Sequence, residues 1–158
     1  MEMRGTVSRG LGRAHIFMAQ THYQEQFKKV LGVTAWPGTL NLKVRDKSFI
    51  NYLALRERSG VETSGLSENL ILESREIDTS KIVFHRIQGF EREGRSFGGA
   101  TAIIATINHI DGIDQLSSQC AILIPDLTRH KDVVEIISPI FLREQYDLVD
   151  GDELSINY

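Results

Sequence analysis

The stretch Trp36-Pro37-Gly38-Thr39-Leu40-Asn41-Leu42-Lys43-Val44 decides the fold class. Trp36-Pro37-Gly38 reads as a turn, and from Thr39 polar and apolar residues alternate with period two, the pattern of a half-buried strand. The same kind of segment recurs along the chain. Glu2 to Ser8 reads as a first strand, residues 81–87, 95–108 and 119–125 as further strands, and residues 153–158 as the last. Phe97-Gly98-Gly99 marks a bend or bulge, Asp111-Gly112 a turn, and Asp150-Gly151-Asp152 another turn. The β-branched run Val133-Val134-Glu135-Ile136-Ile137 adds one more strand. Six or so strands without a repeating strand–helix–strand order predict a mainly β chain, closed or nearly closed into a barrel, over a doubly wound sheet.

Helices are few and short. From His22 to Leu31 the apolar residues Tyr23, Phe27, Val30 and Leu31 fall on one helical face, and Gly32 supplies a stop. Residues 48–56 are compatible with a second helix. Ser138-Pro139 predicts a helix over residues 140–146, with Ser138 as N-cap and Pro139 at the first helical position. Residues 57–80, rich in Ser, Thr, Gly and Glu, read as a surface insertion with no assignable chemistry. No internal repeat or low-complexity tract is present, and residues 1–158 are expected to form a single domain.

The chain has 158 residues, 41% hydrophobic and 25% charged, enough to bury a core without disulfides or a structural metal. Its single cysteine, Cys120, can form neither an intrachain disulfide nor a Cys-based zinc site. No apolar run approaches a membrane span, and Met1-Glu2-Met3-Arg4 does not open a signal peptide, so a cytoplasmic location without membrane partners is expected. The net charge of −3 conceals an asymmetry, because residues 1–50 carry eight Lys or Arg against three acidic residues. A basic third on an acidic body suits a discrete anion such as a polyphosphate better than a nucleic-acid backbone.

Several chemistries are excluded. There is no G-x-x-x-x-G-K-[ST] loop, G-x-S-x-G elbow or H-E-x-x-H helix, and the five histidines lack ligand spacing. Three constellations remain. In Gly10-Leu11-Gly12-Arg13-Ala14-His15, backbone without Cβ can approach a phosphate that Arg13 neutralises; the plainer reading is a turn. Thr39 and Asn41, two apart on a strand, offer a hard cation two neutral oxygens, or else form a solvated strand face. Glu135 faces opposite to Val134 and Ile136 and either points to solvent or lines a cleft, where it can take a hydrogen bond or a proton from a substrate hydroxyl. Periodicity does not choose between these.

The order of the pieces is more specific than any one of them. Gly5-Thr6-Val7-Ser8-Arg9-Gly10-Leu11-Gly12, Leu31-Gly32, Trp36 to Leu42, Arg95-Ser96-Phe97-Gly98, Ile124-Pro125, Glu135-Ile136-Ile137-Ser138-Pro139, Leu142-Arg143-Glu144 and Asp150-Gly151-Asp152 together resemble the archaeal CTP-dependent riboflavin kinase family. The resemblance runs from about Gly5 to the C-terminus, interrupted near 57–80. It implies a six-stranded cradle-loop β-barrel that transfers the terminal phosphate of CTP to the 5′-hydroxyl of riboflavin, giving FMN and CDP.

By the same resemblance, Gly10, Leu11, Gly12, Arg13, Ala14 and His15 would hold the nucleotide phosphates, and Ile140, Phe141, Leu142 and Arg143 the cytidine nucleotide. Thr39 and Asn41 would coordinate Mg²⁺, Thr128 and Glu135 would contact the flavin, and Glu135 is the candidate catalytic group. The expected partners are CTP or CDP and riboflavin or FMN, with no nucleic acid, and the chain is expected to be a monomer. An apolar barrel mouth is the expected seat of the flavin ring. The competing reading is a non-catalytic small β-barrel that binds nucleic acid or carries flavin.

Overall fold

The computed structural model describes residues 1–10, 12–110, 118–128 and 130–158. Six antiparallel strands close a ring: β1 (Glu2–Ser8), β2 (Leu40–Val44), β8 (Val133–Ile137), β7 (Ser118–Pro125), β6 (Ala100–His109) and β9 (Glu153–Asn157). The long strand β6 makes closure possible, since Ala100 to Ile107 pair with β7 and its last four residues, Thr106 to His109, pair with β9. A short strand β3 (His85–Ile87) extends the sheet along the start of β6.

Alternation along the strands sorts the side chains. Met3, Val7, Leu40, Leu42, Val44, Ile122, Val134, Ile136, Leu154 and Ile156 fill the interior. The helix α3 (Asp46–Arg58) adds Tyr52 and Leu55 to that same cluster. The interior of the barrel is filled by these side chains.

Part of the outer face is covered. The helix α2 (Thr21–Leu31) lays Tyr23, Phe27, Val30 and Leu31 over Ala100, Ala102, Ala121, Leu123 and Ile137, where the alanines let the helix approach the strands. It ends at Gly32 in the left-handed conformation (φ +84), as the sequence predicts.

Four sequence expectations are corrected by the chain's local chemistry. The strand expected over 81–87 is confined to β3. The strand expected over 95–108, with a bend or bulge at Phe97-Gly98-Gly99, divides at Gly98-Gly99 into β5 (Arg95–Phe97) and β6. β5 forms a hairpin with β4 (Phe90–Arg92) through Glu93-Gly94, both at positive φ as a tight two-residue turn requires. The helix expected over 140–146 is the shorter α5 (Leu142–Gln145), and Ser138 does not cap it; the Ser138 hydroxyl instead accepts from the Ile140 amide at 3.3 Å. Residues 57–80 are also not bare surface, because α4 (Glu68–Arg75) packs against α3 and buries Ser74. The Asp111-Gly112 turn lies outside the described residues. Among the described residues no helix is long and apolar enough to cross a membrane.

Candidate active site

Three neighbouring strands carry one row of polar side chains. Ser8 on β1 pairs directly with Asn41 on β2, and Asn41 pairs directly with Glu135 on β8. Directly opposed residues project from the same face of a sheet. The row therefore stands on the outer face, opposite Val7, Leu42, Val134 and Ile136.

The glycine segment folds over this row. Gly10 passes so close to Asn41 that a Cβ there would overlap the Asn41 amide, and Gly12 takes a left-handed conformation (φ +70) that L side chains rarely adopt. Arg13 follows, then a short helix α1 (Ala14–Met18), so Ala14 and His15 belong to a helical turn and not to the loop. His15 Nδ1 lies 3.1 Å from the Gly12 carbonyl, which makes it the donor there. The loop covers Asn41, only 7% exposed, and this corrects the picture of a solvated Thr39–Asn41 strand face.

Between the row and the loop lies a cleft of about 520 Å³. Gly10, Gly12, Arg13, Ala14, His15, Thr39, Asn41, Glu135 and Arg143 all line it. Sequence reasoning missed Ser8, Arg9, Phe17, Gly38 and His130, which line it as well. Gly38 and Ser8 adjoin residues already singled out; nothing in the local sequence marks His130 or Phe17.

Ile140, Phe141 and Leu142 line an adjoining recess of about 50 Å³, which shares Gly38, Thr39 and Arg143 with the cleft. Its outer lip is Trp36, stacked on Phe141 at 4.8 Å between ring centroids, and the Trp36 amide donates to the Ser138 carbonyl at 2.8 Å. Leu142 itself is buried in the barrel interior. Thr128 is on the β7–β8 connection with its amide donating to the Pro125 carbonyl, and it does not line the cleft. Leu11 lies outside the described residues.

The electrostatics are of two kinds. Arg9, Arg13 and Arg143 make the rim cationic. Arg143 donates to the Ser8 carbonyl at 3.1 Å and to Asp150 at 2.6 Å, and Asp150 also meets Arg9 at 3.3 Å. Glu135 is the opposite case, because burial raises its carboxyl to about 7. A carboxyl at that value divides between acid and base forms near neutrality. Thr39 donates its hydroxyl to Asn41 Oδ1 at 2.9 Å, so the two oxygens stand together in the cleft wall.

Comparison with known proteins gives the same direction. The family model labelled as CTP-dependent riboflavin kinase, and described as domain of unknown function DUF120, matches residues 7–71 and 66–157. A riboflavin kinase of Methanocorpusculum labreanum is 34% identical over 155 residues, covering 98% of this chain and 55% of that protein. One of Thermoplasma acidophilum is 32% identical over 96% of this chain and 54% of its own length. One of Sulfurisphaera tokodaii is 35% identical over 157 residues, 99% of this chain and 93% of that protein. The chain thus spans about half the length of several curated relatives and nearly all of another. Matched by that model over almost all of its residues, the chain belongs to the CTP-dependent riboflavin kinase family.

Proposed function

We propose that this chain transfers the terminal phosphate of CTP to the 5′-hydroxyl of riboflavin, releasing FMN and CDP. The observation that carries the reading is the convergence of a glycine-bearing loop, arginines, paired neutral oxygens and one half-buried carboxylate on a single cleft. Phosphoryl transfer asks a protein mainly for positioning and charge stabilisation, and these residues offer both.

Backbone around Gly10 and Gly12 approaches the phosphates, while Arg13 and Arg143 balance their charge. The recess beneath Trp36 and Phe141 is small, which favours a pyrimidine over a purine. Thr39 and Asn41 fit Mg²⁺, since both are neutral oxygen donors of the kind a hard cation accepts beside substrate phosphates. No group of three His, Cys, Asp or Glu suited to a metal occurs among the described residues, so the phosphates would complete that shell. When bound, Mg²⁺ supplies charge neutralisation at the phosphates.

In the reaction the riboflavin oxygen forms a bond to the γ-phosphorus as the bond from that phosphorus to the β–γ bridging oxygen breaks. The electron pair leaves with CDP, and the hydroxyl proton passes to the Glu135 carboxylate. The deciding experiment incubates the protein with riboflavin, Mg²⁺ and each of the four nucleoside triphosphates, and follows FMN by chromatography. FMN formed fastest with CTP is the expected result. Equal or faster formation with ATP overturns the donor assignment, and flavin binding without turnover would make the protein a carrier.

A further inference from the structure

Arg56, near the end of α3, is the one charged side chain classed as buried among the described residues, at 2% exposure. A guanidinium keeps its charge at any physiological pH, and burying a charge is expensive unless partners compensate it. No carboxylate pairs with it among the described residues. Its hydrogen bonds go to backbone carbonyls, one to His130 and a longer one of 3.5 Å to Glu62, and its Nε has no partner there. The ring of Tyr52 lies 5.8 Å from the guanidinium carbon.

An apolar side chain would fill this space at lower cost. What an apolar side chain cannot do is hold two carbonyls from different segments at once, as the guanidinium fork does. His130 belongs to the β7–β8 connection and lines the cleft with Glu135, whereas Glu62 belongs to the 57–80 segment. A second link runs beside the first, from the Lys131 ammonium to the Ser64 carbonyl at 3.3 Å. Residues 62–64 are thereby fastened to residues 130–131.

We propose that Arg56 is a positioning residue for the active site, fixing the backbone at His130 and with it the place of the His130 imidazole in the cleft wall. The 57–80 segment then serves the cleft, as the anchor that shares the guanidinium. This inference takes the cleft as the transfer site, and its first test does not depend on that reading.

The first test is the imidazole NMR spectrum of the ligand-free protein. In Arg56→Met and Arg56→Lys the His130 ring signals move, while those of His22, held by the Gln88 carbonyl, stay in place. The second is kinetic. Arg56→Met raises KM for CTP about tenfold with a smaller change in kcat, the scale typical of residues that orient a ligand. Lys recovers part of the loss. On a His130→Ala background the Arg56→Met penalty shrinks to less than about twofold, because the side chain being positioned is gone.

Ser74→Ala, which removes the buried Ser74 hydroxyl bond to the Ile71 carbonyl on α4, lowers stability without moving KM or the His130 signals. If Arg56→Met does not fold, Arg56→Lys and Lys131→Ala are read by the same measurements. Unmoved His130 signals, or a KM penalty that persists in full without the His130 side chain, overturn the proposal. Should the wild-type protein form no FMN from any nucleotide, the kinase reading fails and the NMR result alone decides the role of Arg56.

Discussion

Asn41 and Glu135 are directly paired across the β2–β8 ladder, and both side chains open on the same cleft. Directly opposed residues keep their Cβ atoms within about 4.5–5.5 Å. The Asn41 amide and the Glu135 carboxyl are thus spaced by backbone hydrogen bonds of the sheet. On the proposed reading, sheet register would set the distance between the metal-bound phosphate and the acceptor hydroxyl.

Asn41→Ala tests the metal half of that pair. The ladder bonds are main-chain, so the barrel persists, while the cleft loses one of two oxygens. The Mg²⁺ concentration for half-maximal FMN formation should rise at least about tenfold, a loss that even outer-shell partners produce. An unchanged Mg²⁺ titration would mean that Thr39 and Asn41 are only a polar patch under the loop.

Glu135→Gln tests the other half, and pH is its probe. With its carboxyl raised to about 7, Glu135 is a competent acceptor only as pH climbs through that value, so kcat should rise across it. Gln removes that limb and lowers kcat by about 10²- to 10⁴-fold if the residue is a base; an orienting residue instead raises KM for riboflavin. Stability moves the other way. Between the unfolded value near 4.5 and the folded value near 7 the native state holds more protons, so stability falls as pH rises through this window. Thermal melts from pH 4 to 8 should show that fall in the wild type and not in Glu135→Gln.

Gly10→Ala and Gly12→Ala separate close approach from backbone freedom. The first puts a Cβ against the Asn41 amide, so both the Mg²⁺ requirement and KM for CTP should increase. At Gly12 nothing lies within 4 Å of the added Cβ, and the strain of a left-handed residue, about 1–2 kcal/mol, should disturb the loop with little effect on Mg²⁺ dependence. Equal effects from both variants on the Mg²⁺ titration would contradict the contact.

Arg143→Lys keeps the charge and removes the fork that joins the Ser8 carbonyl to Asp150. Steady-state kinetics should show KM for CTP raised several-fold, on the order of 1 kcal/mol, with KM for riboflavin nearly unchanged. A larger effect on riboflavin would reassign this wall of the cleft.

The limits of sequence reading fall at identifiable residues. β1 and α2 were legible because their burial follows a single period, and Gly32 because helices commonly end on a left-handed glycine. Glu135 was placed on the face opposite Val134 and Ile136, but alternation says nothing about what covers that face. Its raised carboxyl comes from burial in the folded chain, which is a long-range fact. The β4–β5 hairpin carried a local signal in Glu93-Gly94 that a two-residue turn could have claimed. Ser138-Pro139 misled, because a good N-cap sequence is also a good turn. Arg56 had no signal at all, since a lone arginine late in an amphipathic helix usually reaches water.

Asp150, bridging Arg143 and Arg9, places an anion at the rim of the cleft. Its side chain is 46% exposed and that of Arg9 is 89% exposed, and such pairs contribute only about 0–1 kcal/mol. On the proposed reading the carboxylate is a weak competitor, which neutralises the arginines in the absence of nucleotide and would yield them to several phosphate charges. A single phosphate would gain little by displacing it, whereas a triphosphate would gain at every contact, so under the proposed function the rim would filter ligands by charge before any base is recognised.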